Sequence, residues 1–423
     1  MSKVNIPKSL ISRVDNSERY AKFVRRAKPI AQRMVNDYTA KQRAYAAVNT
    51  QYNRTGQIDM TRIAQVYTSD DIFIKKTIEA AGQSHGLLLV IDWSGSMQPH
   101  IESMAMQYLV TALFAKRAKI PLEVYIFTTP EFGERKSIDG LGNELSMRLI
   151  LNTTTASESD IVEIFYHMIC TYHSVYARIT RALDYGGHSA YYSSEEDIAL
   201  ARRMTQLFRM GGTPLVQATS QAYMCAYRMK IRESLQNMTV LFITDGAGSR
   251  MTDGKSDTYI TTLVCPFTSR RFDSRVDKPA PFYRSHGMGA LSAVNEMMAS
   301  QGIKSINLFV GNNKHELAEV VYMVSCLNVD DDDVIRNTLH KTRSNELYDF
   351  GSIGNYTRYV ALMAYMFPKI DDVSDLGDDT LSNAKGKTLQ RRFTTSTNDT
   401  KNITRVCGII VDEICADFKI KRK

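Results

Sequence analysis

Asp92, Ser94 and Ser96 stand at alternate positions in Gly86–Met97, GLLLVIDWSGSM, with Gly95 between the serines. Three hard oxygen groups at that spacing, on a tight turn, suit a small divalent cation. Mg2+ takes oxygen ligands in near-octahedral geometry and usually keeps some water. The same residues also read as a serine-rich turn that caps a helix, since Ser is a favoured cap. Two further stretches favour the cation. Met210–Leu215, MGGTPL, places the Thr213 hydroxyl after two glycines, and Val240–Gly246, VLFITDG, ends an apolar run in a second carboxylate, Asp245. A hydroxyl loop and a second strand-end Asp supply what a five-ligand oxygen site needs.

The elements around these residues follow from periodicity. Leu87–Ile91 is a continuous apolar run, the pattern of a strand buried on both faces of a parallel sheet. Ligands of open α/β sheets bind outside the carboxyl ends of such strands, where Asp92 stands. From Gln98 the pattern turns helical, and Ile101–Lys119 predicts a helix with Met104, Leu109, Leu113 and Ala118 among its apolar positions. Strands are predicted at Pro121–Thr129, Met238–Thr244 and Ile303–Gly311. Helices are predicted at Val216–Ser234, Met288–Ser300, His315–Cys326 and Glu346–Phe367. This alternation predicts an α/β fold, a doubly wound and mostly parallel sheet flanked by helices. Near the N-terminus Tyr20, Phe23, Ala27, Ile30, Met34 and Tyr38 form one apolar helix face, with Pro29 implying a kink or break. Near the C-terminus Ile403, Val406, Ile410, Ile414 and Phe418 form another, able to dock on the domain or on a partner.

The five oxygen-bearing residues resemble the metal-ion-dependent adhesion site of von Willebrand factor A (VWA) domains. That site is built from D-x-S-x-S, a distant Thr and a distant Asp. Matched residue by residue these are Asp92, Ser94, Ser96, Thr213 and Asp245. The resemblance implies a Rossmann-like VWA fold and a metal, Mg2+ with Mn2+ or Ca2+ as alternatives. It implies that hydroxyls bind the metal directly, that an aspartate often acts through water, and that one position is left for a carboxylate of a partner protein. Arg54–Lys76, running into the metal loop, resembles the stretch before the same domain in the T subunit of aerobic cobaltochelatase. The corresponding residues are Gly56, Ile58, Asp59, Arg62, Ile63, Val66 and Phe73, with Gln65 where that family often has Arg. Ile63 and Val66 are expected to face inward. This second resemblance covers roughly residues 20–130 and implies an AAA+ ATPase as partner, as for the MoxR-associated VWA proteins.

The chain has 423 residues, enough for one large domain with insertions or for two domains. The expected division is a basic helical extension over 1–80, a VWA domain over 81–340 and a helical extension over 341–423. The VWA domain carries insertions near 130–205 and 247–285, and a polar linker spans 371–402. Residues 1–50 hold eleven Lys/Arg against three Asp/Glu, so the whole net charge of +8 belongs to this arm. Such an arm suits nucleic acid or an acidic protein surface, though a solvated helix face is the favoured reading. No apolar stretch has the length of a membrane span, and no signal peptide is evident. Six scattered cysteines without a C-x-x-C pair fit reduced thiols in a cytoplasmic protein.

Other motifs carry less. His167, Cys170 and His173 form H-x-x-C-x-x-H, but three-residue steps are ordinary core spacing and a fourth zinc ligand is missing. The tyrosines at 166, 172, 176, 185, 191 and 192 have few basic neighbours, which favours packing or a protein interface over base stacking. Asp330–Asp333 lacks the spacing and Gly of a calcium loop. AKGKT at Ala384–Thr388 has Leu381 where a phosphate loop needs Gly. No catalytic residue is assigned. The expectation is an intracellular VWA protein serving as the non-ATPase partner of an AAA+ motor. Metal insertion into a corrinoid by a cobaltochelatase-like complex is one version; remodelling of another complex, for example in a phage, is a second. The alternative is a nucleic-acid or ribonucleoprotein docking protein using its basic arm.

Overall fold

The structure is a computed structural model. It describes residues 17–49, 51–53, 63, 76–78, 84–129, 145–173, 210–246, 262–264, 271–273, 282–311, 317, 347–363 and 403–416. Elements are labelled in chain order among these. Helix α1 is Ser17–Asn49, β1 Gln51–Asn53, β2 Lys76–Ile78 and β3 His85–Asp92. A 3-10 turn at Gly95–His100 leads into α2, Ile101–Arg117. Then come β4 Leu122–Thr128, β5 Ser146–Asn152, α3 Glu158–His173, α4 Leu215–Arg232 and β6 Asn237–Thr244. A small hairpin, β7 Thr262–Val264 with β8 Arg271–Asp273, precedes α5, Phe282–Ser300. The chain closes with β9 Ile303–Gly311, β10 Tyr348–Asp349, β11 Arg358–Met363 and a last helix, α6, over 403–415.

Seven strands form one sheet in the order β10-β11-β9-β6-β3-β4-β5. The inner five are parallel, while β5 and β10 run antiparallel at the two edges. The strands alternate their side chains between two apolar layers, as a period of two requires. Leu87, Leu89 and Ile91 of β3 face one layer with Leu241, Ile243, Ile306 and Leu308, which α1, α2, α3 and α6 cover. Leu88 and Val90 face the other with Val240, Phe242 and Phe309, which α4 and α5 cover. Burial on both faces explains why these strands read as unbroken apolar runs. The α/β fold, doubly wound around a mostly parallel sheet, is the one expected.

The two flanking helices belong to this core. Phe23, Ala27, Ile30, Met34 and Tyr38 of α1 are all buried in the first layer, so the apolar face is already used. The helix runs unbroken through Pro29. Arg117 of α2 clamps Glu158 of α3 with two bonds of 2.8 and 2.9 Å and also reaches Gln32 of α1. This pairing holds the Glu158 carboxyl below the usual range. Helix α6 buries Ile403, Val406, Ile410 and Ile414. Its Glu413 accepts from Arg358 (2.8 Å) and Asp412 pairs with Lys41 of α1.

Besides the break at Pro29, two further local expectations fail. Of the helix predicted at Glu346–Phe367, the described residues 347–363 are not helical: β10 and β11 form an antiparallel pair there, so the sheet extends past residue 340. The aromatic spacing imitated a helix, but Gly351, Gly354 and Asn355 take positive φ (66, 57 and 58°), which turns the chain back. Ile63 is 44% exposed rather than inward-facing. The stretch near 130–205, expected as an insertion, contains β5, which pairs with β4, and α3, which packs in the first layer. Val66, Phe73, the helix at His315–Cys326 apart from Leu317, the Asp330–Asp333 run, the 371–402 linker and Phe418 lie outside the described residues.

His167 on α3 is 1% exposed, and burial lowers its imidazole to about 4. Below its ordinary 6.5, the unfolded chain therefore takes up a proton that the folded chain refuses. Stability is unaffected above that value and declines from there down to about pH 4. Unfolding titrations at about pH 7.5 and about pH 5 should show wild type losing roughly 2 kcal/mol more than His167→Gln over that interval.

Candidate metal centre

The chain order places this site. Numbering the six strands that carry the wound topology as β3, β4, β5, β6, β9 and β11 gives the spatial order 3-2-1-4-5-6. The chain leaves β3 toward one edge and later returns on its other side as β6. This is the switch point of the sheet, where ligands of open α/β folds bind at the carboxyl ends of the strands. Asp92 ends β3, and Asp245 follows β6, which pairs directly with β3 through Ile91 and Ile243.

Asp92 is fully buried and Asp245 is 8% exposed. Thr244 donates to Asp92 Oδ2 at 2.6 Å, and its hydroxyl accepts from the Gly246 amide at 3.0 Å. Ser96 donates to Asp245 Oδ1 at 3.0 Å, and Ser96 and Ser94 share a hydrogen bond of 3.0 Å. Ser94 does not cap the following turn with its side chain, which removes the helix-cap reading of the serines. Thr213 packs beside the residue after Asp245: a Cβ on Gly246 would lie 3.1 Å from Thr213 Cγ2 and 3.5 Å from its hydroxyl oxygen. Asp92, Ser94, Ser96 and Asp245 are thus drawn into one cluster, with Thr213 at its border.

The Thr213 loop is pinned to the serine turn by backbone bonds. Gly95 N–H donates to Gly211 O at 2.9 Å, Gly211 N–H donates to Trp93 O at 3.4 Å, and Gly212 N–H donates to the Thr129 hydroxyl at 2.8 Å. Only a glycine fits at 211, since a Cβ there would stand 2.4 Å from the Thr129 hydroxyl and 3.2 Å from its carbonyl. Ser96, Gly95 and Gly212 are exposed, so the cluster has a buried floor and an open lip.

The electrostatics favour a cation. Burial pushes the Asp92 carboxyl up to about 7; the Thr244 hydrogen bond opposes this, and the neighbouring Asp245 adds to it. Both acids also raise the fully buried Tyr108 phenol, whose main cause is burial itself. Asp92 Oδ1 is buried and has no hydrogen-bond partner among the described residues. Buried polar atoms are nearly always satisfied, so such an atom asks for a ligand. An orphaned carboxylate oxygen, a second carboxylate and hydroxyls together fit a hard divalent cation. Asp92, Ser94, Ser96, Thr213 and Asp245 would hold it, and its charge would relieve the repulsion between the two acids.

Sequence reasoning missed Thr244, Thr129 and Tyr108. A polar residue closing an apolar strand run was the available signal for the two threonines; Tyr108 read as an ordinary helix position. No group of three or more His, Cys, Asp or Glu able to hold a metal occurs among the described residues. Among them, too, no helix is long and apolar enough to cross a membrane.

No family model matches the sequence, and no curated protein matches it. Solved structures similar to the chain include the PilB minor pilin from Streptococcus sanguinis, at 10% identity and TM-score 0.38. That match covers 82% of this chain and 66% of PilB. The SpaC pilus adhesin from Lactobacillus rhamnosus GG, in its open conformation, matches at 10% identity and TM-score 0.35, over 80% of this chain and 31% of SpaC. The vWF domain of the type V pili tip protein Mfa5 from Porphyromonas gingivalis matches at 8% identity and TM-score 0.29, over 73% of this chain and 98% of that domain. The chain therefore spans about a third of SpaC and about two thirds of PilB.

The Thr244 hydroxyl should be worth measuring alone. Thr244→Val keeps the shape and removes the 2.6 Å donor to Asp92 Oδ2. It should destabilise the protein by about 1–3 kcal/mol in urea unfolding.

Proposed function

We propose that this chain is a divalent-cation-dependent docking protein and not an enzyme by itself. Mg2+ would be held by Asp92, Ser94, Ser96, Thr213 and Asp245, with Mn2+ or Ca2+ as substitutes. The cation supplies a hard Lewis-acidic centre at the open lip. An acidic side chain of a partner protein would complete its coordination there. The observation that carries this reading is the buried, unsatisfied Asp92 Oδ1 beside the Ser94–Ser96–Asp245 hydrogen-bond chain.

We further infer that the partner is an AAA+ ATPase, this chain being its non-ATPase companion in the cytoplasm. Support comes from the flank preceding the metal loop, Gly56 to Phe73, which resembles the cobaltochelatase T subunit. Work on a corrinoid-metallating complex, or on another assembly such as one encoded by a phage, is the use that resemblance implies.

Thermal unfolding with and without Mg2+ tests the metal. Mg2+ should raise the stability of wild type saturably, by about 2.7 kcal/mol at a hundredfold excess over Kd. Asp92→Ala should abolish the rise. A pull-down of AAA+ ATPases should lose its catch with EDTA and with Asp92→Ala alike. Mg2+-independent capture by both proteins would end the docking proposal, and an unchanged melting curve would end the metal assignment.

A further inference from the structure

Thr129 follows directly on β4, the strand beside β3, and is not one of the five oxygen-bearing residues. Its hydroxyl accepts the Gly212 amide at 2.8 Å, so it holds the peptide group just before Thr213. On the other side Thr213 leads into α4, and its carbonyl accepts from the Leu215 amide at 2.9 Å. Gly246 stands against the Thr213 methyl, where an added Cβ would lie 3.1 Å away.

Thr213 is the oxygen-bearing residue with the weakest attachment to the sheet. Asp92, Ser94 and Ser96 lie at or just after the end of β3, and Asp245 directly after β6. Thr213 comes on a loop that joins the sheet by one isolated bridge, Gly211 beside Ser94. Two bonds that pin the loop, Gly95 to Gly211 and Gly211 to Trp93, run between main-chain groups, which any residue but proline supplies. The bond at Gly212 depends on the side chain at 129. Gly212 is exposed, so its amide turns to water when that hydroxyl is lost, and folding gives up little. The bond therefore weighs more on where Thr213 stands than on the stability of the fold. Outer groups that orient a metal ligand typically govern affinity by roughly 10–100-fold.

We propose that Thr129 is a positioning residue of the cation centre: its hydroxyl fixes the Gly212 peptide and thereby holds the Thr213 hydroxyl in place for Mg2+. This rests on the reading of the five oxygen-bearing residues as a Mg2+ site and adds to it a residue from a third strand end.

The test is calorimetric titration of the full chain with Mg2+, beside melting and amide exchange in EDTA. Thr129→Val should weaken Mg2+ about tenfold or more. Thr129→Ser, which keeps the acceptor, should bind as wild type does. Thr128→Val is the control: that neighbouring hydroxyl is buried without a hydrogen-bond partner among the described residues, and its loss should leave Mg2+ binding unchanged. In EDTA the melting temperature of Thr129→Val should stay within about 4 °C of wild type. Its Gly212 amide should exchange faster there than in wild type or Thr129→Ser. Equal Mg2+ affinity of Thr129→Val and wild type overturns the proposal and leaves the metal assignment standing. Equal weakening by Thr129→Ser, or weakening that only follows a fall in melting temperature in EDTA, overturns it too. Absence of Mg2+ binding by wild type ends the metal assignment and this proposal with it.

Discussion

The structure depends on a costly arrangement: two buried carboxylates at the ends of neighbouring strands. Asp92 has no exposed surface, and Asp245 stands within its field. Burial and like charge both penalise ionisation, and the Asp92 carboxyl rises accordingly. Every nearby feature bears on that penalty. Thr244 supplies one hydrogen bond, Ser96 supplies another to Asp245, and one oxygen of Asp92 is left over. A dication at that oxygen turns the unfavourable pair into a binding site, which is the chemistry proposed for it.

The wound topology makes the arrangement achievable. Only where the chain reverses its direction across the sheet do two strand-end loops separate and leave room for a ligand. The reversal occurs between β3 and β6, the two strands that deliver the acids. The third loop, which carries Thr213, is fixed by amide hydrogen bonds from Gly95, Gly211 and Gly212, at a closeness only glycine allows at 211.

The helices at the two ends of the chain contribute to the same core, although composition set them apart. Apolar faces of α1 and α6 close the layer over α2, and Arg117 and Arg358 tie them to their neighbours. Their outer surfaces are what remains for partners. On α1 that surface is basic.

The sequence by itself determined four of the sheet's five inner strands, their buried character and the oxygen-bearing residues at their ends. Those features are local: an apolar run of strand length ending in Asp is written in a few consecutive residues. The helix faces at Phe23–Tyr38 and Ile403–Ile414 were legible for the same reason, because burial repeats at a fixed helical step. Only the tertiary structure decided what depends on distant neighbours. It assigned Tyr348–Met363 to strands, since positive-φ residues at 351, 354 and 355 outweigh a misleading aromatic spacing. It brought Thr244 to Asp92 across 152 positions and Ser96 to Asp245 across 149, contacts that no window of sequence contains.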